Sequence, residues 1–288
     1  MVVTISGQAI TVGSSVILTP NTPSGSIAVV KMDTNKALVV FHQGDSTPIH
    51  AGVLSVSGST ISQGTYVSIS EAYAWNDCAI NLQPISSTKA LLFYRRVGVG
   101  SKPGVRIMTV SGTSVSFGAV TDLSTGSSSY NHIARLSDNK FLVWYNDGDN
   151  SQKFSFQVVT LSGDTVSYGS RYASSQASIV ISYGIGAPAS DSRAVVFFAN
   201  PYDLYRIYPI SLHIEGTVVS VVEGTISSTQ GQVNSISIAG NYSFNKLFYA
   251  HTGEGCVVYA HLMQLWPIAG VAKESGNAGD TIDFYDWR

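Results

Sequence analysis

The chain consists of short apolar runs separated by Ser, Thr, Gly, Asn and Asp, and no stretch shows a sustained helical period. One apolar run recurs after a basic residue: KALVVF from Lys36, KALLFY from Lys89, KFLVWY from Lys140, RAVVFF from Arg193 and KLFYA from Lys246. A strand that is apolar on both faces is typical of a strand buried between neighbouring sheets. We therefore predict an all-β protein in which one buried strand is repeated.

A polar turn recurs in step with this strand. It takes the form SGQAITVG from Ser6, SGSTISQG from Ser57, SGTSVSFG from Ser111, SGDTVSYG from Ser162 and, more weakly, EGTVVSVV from Glu215. Successive copies of either marker start 51 to 54 residues apart. Glycine supplies the backbone freedom that a tight hairpin needs. We predict that this turn joins the third and fourth strands of every repeat.

Four short antiparallel strands repeated about every 50 residues are typical of β-propeller blades. The pattern predicts an all-β fold, a five-bladed β-propeller of four-stranded antiparallel blades, over residues 1–264. We expect the two termini to complete one blade together and so leave no open sheet edge. Each terminus could contribute two strands to this blade, or one terminus three and the other one, and both arrangements stay open. The regular period disfavours a two-sheet sandwich.

Residues 265–288 do not fit the period and predict a short C-terminal β-hairpin. One interpretation is a strand pair that caps the ring. The other is an attachment segment that contacts a partner through its aromatic ending, Phe284, Tyr285 and Trp287.

Composition excludes several classes of function. Charged residues make up 12% of the chain and the net charge is -2, which does not favour nucleic acid or an anionic membrane as a partner. The two cysteines are not a disulfide framework, and the six histidines lack metal-ligand spacing. No apolar stretch predicts membrane insertion or a signal peptide. We expect no cofactor and no metal.

The strand order predicts where binding residues lie. Second-to-third connections and links between blades share one face, the variable face, and their sequences differ from blade to blade. Loops on a regular scaffold commonly carry function. Aromatic rings there can stack on the C–H face of a sugar, and polar groups can hydrogen-bond its hydroxyls. The candidates are Tyr73, Trp75, Arg95, Arg96, Tyr130, His132, Tyr145, Asn146, Asp147, Tyr202 and Asp203. The alternative is that these aromatics wedge the blades together.

Chemical motifs are mostly absent. NDGDNSQ spaces Asp147, Asp149 and Ser151 as a calcium loop does, but the required Gly and Glu are missing, so we interpret it as a solvated turn. SGDTVSYG is similar to the aspartate box of sialidases but lacks its Gly and its ending. A glycan hydrolase would need two carboxylates about 5–9.5 Å apart. The carboxylates on the variable face are Asp45, Asp77, Asp147, Asp203 and Glu254.

The repeat LSDNKFLVWYNDGDNSQKFSFQVVTLSGDTVSYGS and the closing GVAKESGNAGDTIDFY resemble the repeats and C-terminal segment of bacteriophage tail and tail-fibre proteins. The repeat at Glu215 departs from the pattern. The resemblance implies a virion structural protein, made in the host bacterial cytoplasm and displayed on the particle. Its implied partners are other virion proteins, copies of itself and a host cell-surface glycan. We predict a receptor-binding propeller; the alternatives are a tail-associated glycan hydrolase, an architectural decoration protein and a free lectin-like protein.

Overall fold

The computed structural model describes residues 3–6, 9–13, 15, 27–42, 48–70, 80–174, 184–188, 190–200, 206–223, 235–241, 246–252 and 258–264. Regular structure in these residues is β-strand, apart from one 3-10 turn at Gly148–Asn150. The prediction of an all-β protein is confirmed. Across these ranges, no helix is long and apolar enough to cross a membrane.

The strands follow one another in the order of the chain and form separate antiparallel sheets. The N-terminal hairpin contains β1 (Val3–Ser6) and β2 (Ala9–Val12). Sheet 1 contains β3 (Ile27–Asp33), β4 (Lys36–His42), β5 (Ile49–Ser57), β6 (Thr60–Gln63) and β7 (Val67–Ile69). Sheet 2 contains β8 (Asn81–Pro84), β9 (Lys89–Arg96), β10 (Lys102–Ser111) and β11 (Ser114–Asp122).

The later sheets repeat this arrangement. Sheet 3 contains β12 (Ser128–Ser137), β13 (Lys140–Asp147), β14 (Lys153–Ser162), β15 (Thr165–Tyr168) and β16 (Tyr172–Ala173). Sheet 4 contains β17 (Gly184–Pro188), β18 (Arg193–Asn200), β19 (Arg206–Glu215) and β20 (Val218–Glu223). Sheet 5 contains β21 (Ser235–Asn241), β22 (Lys246–Thr252) and β23 (Val258–Gln264).

Sheets 1 to 4 each have the four-stranded antiparallel path predicted for a propeller blade, such as β8-β9-β10-β11. In sheets 1 and 3 the fourth strand is split, so that β6 and β7 both pair with β5, and β15 and β16 both pair with β14. Sheet 5 has three strands among the described residues. Ring closure by a shared terminal blade and the domain boundary at residue 264 stay predictions, and residues 265–288 lie outside the described ranges.

The chain divides into two compact units, each with its own core. The first comprises Met1–Ile133, Asp147–Asp149 and Thr160–Tyr168; the second comprises Ala134–Asn146, Asn150–Val159 and Gly169–Arg288. In the first unit, residues from sheets 1 and 2 form one buried cluster that includes Leu38, Val40 and Leu92. In the second, residues from sheets 3 and 4 form another, which includes Trp144 and Phe156.

These cores follow from the repeated apolar strand. Leu38, Val39 and Val40 of β4 are all fully buried, although their side chains alternate between the two faces of sheet 1. Leu38 and Val40 join the large cluster with sheet 2, whereas Val39 packs with Phe41 and Leu54 on the opposite face. A second strand that is apolar on both faces is therefore covered on both faces, as the sequence predicts.

The recurring polar turn is a two-residue hairpin loop. In sheet 2, Ser111 pairs with Ser114, which leaves Gly112 and Thr113 as the loop. A positive φ is confined to the glycine, as in a type II′ turn, which matches the right-handed twist of the flanking strands. The equivalent glycines have nearly equal φ: 57° at Gly58, 62° at Gly112, 59° at Gly163 and 58° at Gly216.

The last glycine of the motif has a different role, because it receives the turn of the next repeat. A Cβ on Gly13 would lie 2.5 Å from the carbonyl oxygen of Ser59, at the turn of sheet 1. A Cβ on Gly64 would overlap the carbonyl oxygen of Thr113, at the turn of sheet 2, and one on Gly169 would overlap that of Thr217, at the turn of sheet 4. A side chain at these positions would push neighbouring repeats apart.

The motif in sheet 2 provides a natural exception. A Cβ on Gly118 would meet its nearest atom, the Ile107 carbonyl oxygen, at an ordinary distance of 3.4 Å. Neither Gly64 nor Gly118 has a positive φ, so alanine fits the backbone at both positions.

We predict that Gly64→Ala lowers the free energy of unfolding by about 1–3 kcal/mol, the usual range for overpacking a well-packed contact. Gly118→Ala is the matched control, and we expect it to change stability by less than about 0.5 kcal/mol. Urea unfolding followed by tryptophan fluorescence measures both. Equal losses in the two variants would show that the turn does not dock on Gly64.

Candidate ligand-binding face

Three connections of the variable face are described in full. They are the β9–β10 loop (97–101), the link from β11 to β12 (123–127) and the β13–β14 loop (148–152). Several predicted site residues lie outside the described ranges: Tyr73, Trp75, Tyr202 and Asp203, the attachment residues Phe284, Tyr285 and Trp287, and the carboxylates Asp45, Asp77 and Glu254. Their roles stay predictions.

The backbone of this face is held in costly conformations. Among the described residues, the non-glycine positions with positive φ are Ser101 (60°), Tyr130 (51°), Ser151 (57°) and Gln152 (60°). Three belong to the connections just named, and Tyr130 lies three residues after the 123–127 link. Such conformations cost about 1–3 kcal/mol each and persist where surrounding contacts hold them. The turns on the opposite face place glycine at every positive φ and avoid this cost.

Asp149 holds the 123–127 link in place. Its Oδ2 atom accepts hydrogen bonds from Ser124 Oγ (2.8 Å), the Thr125 amide (3.1 Å), Thr125 Oγ1 (2.6 Å) and the Gly126 amide (2.8 Å). Hydrogen bonds to a charged acceptor are stronger than those between neutral groups. The exposed carboxylate therefore organises a whole segment of the variable face.

Asp147 supports the same contact from inside. Its side chain is fully buried, and its Oδ1 atom accepts hydrogen bonds from Ser124 Oγ (3.2 Å) and the Asp149 amide (3.0 Å). The interpretation of NDGDNSQ as a solvated turn holds for Asp149, which is exposed, whereas Asp147 is buried, and both aspartates are hydrogen-bonded to the preceding link. Among the described residues, no group of three or more His, Cys, Asp or Glu side chains is placed to hold a metal ion.

The 123–127 link is also attached on its other side, to the end of β9 and the start of β10. The Leu123 amide donates to the Pro103 carbonyl (2.9 Å), and the Ser128 amide donates to the Ser101 carbonyl (2.8 Å). Arg95, a predicted site residue, donates from Nη2 to Ser101 Oγ (3.0 Å). Arg95 and the residue that follows the link, Ser128, are therefore both bonded to Ser101.

Arg96, the second predicted arginine, has a structural ion pair. Its Nη1 atom lies 2.5 Å from Asp122 Oδ1, and Lys102 Nζ lies 3.7 Å from the other carboxylate oxygen. Asp122 is the last residue of β11, so the pair fixes the start of the link. The Arg96 charge is therefore balanced within the protein.

Amide side chains connect β8 to β12. Asn81 Nδ2 donates to the Asn131 carbonyl (2.5 Å), and Gln83 Nε2 donates to the Ile133 carbonyl (3.2 Å). The Asn131 side chain is fully buried, and neither amide atom has a hydrogen-bond partner among the described residues. A buried amide of this kind can bind water or another small polar group.

Tyr145 and Asn146 lie inside the protein and not on its loops. Tyr145 is fully buried in β13, and its hydroxyl donates to Gln157 Oε1 (2.8 Å). Asn146, the next residue, is 1% exposed. The structure therefore corrects the assignment of Tyr145 to a ligand-contacting loop: its ring belongs to the core, which agrees with the alternative that some aromatics pack the sheets.

His132 lies in β12, two residues after the strained Tyr130. Burial lowers the pKa of His132 to about 4, from an ordinary value of 6.5. The imidazole is therefore neutral at pH 7 and can serve as a hydrogen-bonding group but not as a cation. Tyr130 is partly exposed, and of the two predicted aromatics in the described ranges, Tyr130 and Tyr145, it is the one at the surface.

Sequence reasoning missed the residues that build the face. Ser124, Thr125, Gly126 and Asp149 were not among the candidates, nor were Asn81 and Gln83. The motifs STG and DGD carry a signal, because Ser, Thr and Asp favour local side-chain to backbone hydrogen bonds and Gly permits close approach. Nothing in the sequence shows that these two motifs meet.

The hydrolase alternative has no support in this part of the molecule. Of the five carboxylates proposed for it, Asp147 is buried and hydrogen-bonded within the protein, and the other four lie outside the described ranges. The pair of facing carboxylates that it needs stays a prediction.

Neither a protein-family model nor a curated protein sequence matches the chain. Solved structures do. The BP39L lectin from Burkholderia pseudomallei gives a TM-score of 0.60 at 9% identity, over 85% of this chain and 67% of that chain. The fucose-specific lectin from Aleuria aurantia gives 0.52 at 14% identity, over 91% and 78%. A variant of the Aleuria aurantia lectin in complex with Fucα1-6GlcNAc gives 0.51 at 13% identity, over 84% and 75%.

These structural neighbours are β-propeller lectins, and the likeness shows that this chain has the β-propeller fold. At such identities it shows the fold alone. The repeated four-stranded sheets of the structure are also those expected of a β-propeller.

We predict that Asp149→Ala lowers the free energy of unfolding by about 1–3 kcal/mol, because it leaves the donors of the link without their acceptor. Asp164→Ala is the control. Its carboxylate, 71% exposed, pairs with Lys89 at 2.5 Å on the turn face, and exposed pairs contribute about 0–1 kcal/mol. Amide hydrogen exchange at Thr125 and Gly126 locates the effect. Unchanged exchange in Asp149→Ala would contradict the role assigned to Asp149.

We also predict that His132 makes stability depend on pH. The unfolded chain binds a proton near pH 6.5 and the folded protein only near pH 4, so the free energy of unfolding falls as the pH falls through this window. The loss amounts to at most about 3 kcal/mol. Urea unfolding between pH 4 and pH 7 should show a shallower slope for His132→Gln than for the native protein. Identical slopes would show that the pKa of His132 is not lowered in the folded protein.

Proposed function

We propose that the protein binds carbohydrate through its variable face. The observation that carries the proposal is the contrast between the two faces. One face has repeated, unstrained glycine turns, whereas the other has strained backbone at Ser101 and Tyr130 and a link fixed by Asp149. A face that is held rigid at an energetic cost is suited to recognition, because little further ordering is needed on binding.

The chemistry of the described face suits a neutral polar ligand. Its exposed and partly exposed side chains are mainly hydroxyls, as at Thr125, Ser127, Ser129 and Tyr130. Charges near it are used within the protein, as in the Arg96–Asp122 pair. Hydroxyl and amide groups hydrogen-bond sugar hydroxyls, and a tyrosine ring can cover an apolar sugar face.

The structural neighbours support the same ligand class. Their names describe a fucose-specific lectin and a complex with Fucα1-6GlcNAc. We extend the ligand class, and not the individual sugar, to this chain. Repeated blades favour several weak sites, because multivalent engagement raises overall affinity by about 10²–10⁴-fold.

We propose further that this binding occurs on a bacteriophage particle, as part of the tail or tail fibre. The likeness of the repeats and of the final segment to phage tail proteins supports this placement. The partners would then be other virion proteins, further copies of the chain and a host cell-surface glycan, and Phe284, Tyr285 and Trp287 would contribute to attachment. The alternative on the same particle is a purely architectural protein.

Binding is tested with an array of neutral oligosaccharides and bacterial surface glycans, using the intact protein and two variants. We expect Tyr130→Ala to weaken binding to the best glycan at least about tenfold, which corresponds to about 1.4 kcal/mol. Asp164→Ala removes a side chain that is 71% exposed on the turn face, and this variant should bind as the native protein does. Absence of binding to every glycan would contradict the proposal.

The particle placement has a separate test. Antibodies raised against the purified chain should label the tails of intact phage in negative-stain electron microscopy, and the free protein should compete with the phage for adsorption to host cells. Labelling without competition would favour the architectural role. Glycan binding without labelling would leave a lectin-like protein that is not part of a virion.

A further inference from the structure

An aromatic cluster lies in sheet 1, at the end where β4 leads into β5. This is the variable-face end of the sheet. The cluster consists of Tyr66, Phe41, His50, Gln63 and Ser68, and we call it the Tyr66 platform. Tyr66 and His50 are partly exposed, and Gln63 and Ser68 are exposed. Phe41 lies underneath and is 3% exposed.

The Tyr66 ring is seated by the local backbone. The fourth strand is interrupted between β6 and β7, and Tyr66 lies in the interruption. A Cβ on Gly52 would overlap ring atoms Cδ1 and Cε1 of Tyr66, so the ring occupies the space that a side chain at position 52 would fill. The Tyr66 ring can therefore pack here only because Gly52 has no side chain.

Two further contacts fix the direction of the ring. The Tyr66 hydroxyl donates to Gln63 Oε1 at 2.6 Å. The ring meets Phe41 edge-on, with centroids 5.0 Å apart and planes at 81°. Edge-to-face pairs contribute about 0.5–1.5 kcal/mol beyond the area they bury. Tyr66 is thus an aromatic ring that is held in one orientation and is partly exposed.

His50 forms the polar border. It pairs with Ser68 across β5 and β7, and its Nδ1 atom lies 3.1 Å from Ser68 Oγ. Its ring lies 5.6 Å from that of Phe41, centroid to centroid. Burial, and secondarily the neighbouring His42, lowers the pKa of His50, so the ring is neutral at pH 7. The border therefore presents neutral donors and acceptors.

The position in sheet 3 that is equivalent to Gly52 has a different role. Gly52 precedes the turn residue Ser57 by five positions, and Gln157 precedes Ser162 by the same five. Gln157 is 2% exposed, accepts from the Tyr145 hydroxyl (2.8 Å) and donates to the Gly169 carbonyl (3.3 Å). In sheet 3 this position therefore carries a buried glutamine that is hydrogen-bonded within the sheet. In sheet 1 it carries a glycine, against which a partly exposed tyrosine packs.

We infer that the Tyr66 platform is a subsite for one neutral sugar residue, which stacks its C–H face on Tyr66 and places its hydroxyls against Gln63, Ser68 and His50. The inference rests on the proposed carbohydrate-binding function and adds residues that sequence reasoning did not select. It also assigns the ligand class, because none of the groups named carries a charge at neutral pH and the one large apolar surface has the size of a single pyranose ring.

The test uses the full chain and a panel of methyl glycosides of fucose, galactose, mannose and glucose. Saturation-transfer NMR identifies the sugar protons that contact the protein, and titration gives the affinity. We expect Tyr66→Ala and Gln63→Ala each to weaken the best glycoside at least fivefold, and Tyr66→Phe to retain most of the stacking. Asp164→Ala, on the turn of sheet 3, should leave binding unchanged.

Gln63→Ala keeps the test valid if Tyr66→Ala does not fold, because Gln63 is exposed. Glycoside binding that is unaffected by both variants would overturn the platform and leave the proposed function intact. Absence of glycoside and glycan binding would overturn both. A weakening of binding matched by an equal fall in thermal stability in Gln63→Ala and Tyr66→Phe would assign these residues to folding and also overturn the subsite.

Discussion

The close approach of one repeat's turn to the glycine of the preceding repeat is the constraint on which the structure depends. At Gly64 and Gly169 there is no room for a Cβ beside the carbonyl of Thr113 or Thr217. Because the turn itself is a two-residue loop with its own glycine, both ends of the eight-residue motif are fixed by backbone geometry. Where this contact forms, the period of the sequence reflects a contact between neighbouring repeats.

This constraint leaves the two faces of the fold with different freedom. A turn that docks on a glycine of the preceding repeat, as at Gly13, Gly64 and Gly169, has to keep its shape. The opposite face has no such requirement, and its connections can differ in length and chemistry. The 123–127 link, fixed by Asp149 and by the Ser101 carbonyl, and the Tyr66 ring, seated on Gly52, are two local solutions built on the same scaffold. Recognition of a neutral glycan then requires little reorganisation of either.

The sequence was sufficient to predict the repeated features and insufficient for the local ones. The runs from Lys36 and Lys89 identified the buried strands, and the turns at Ser57 and Ser111 identified the hairpins, because each is encoded within a few residues. Arg95, predicted for the connection after β9, lies in β9 and bonds to Ser101. The Asp149 contact was missed because its donors lie more than 20 residues away, at Ser124 to Gly126. Tyr145 was assigned to a loop because the sequence does not show whether a residue at the end of a strand is covered by other residues. Tyr66 was missed because its position depends on Gly52, a glycine in another strand.

The central claim is that the variable face binds glycan and the turn face is architectural. Hydrogen exchange measured by mass spectrometry, with and without a saturating mixture of neutral fucose-, galactose- and mannose-containing oligosaccharides, tests it most directly. The account predicts slower exchange in peptides that cover residues 63–70, 95–103, 122–132 and 146–152. It predicts no change in peptides limited to the turns at 57–60 and 111–114. Protection at the turns, or no protection anywhere, would contradict it.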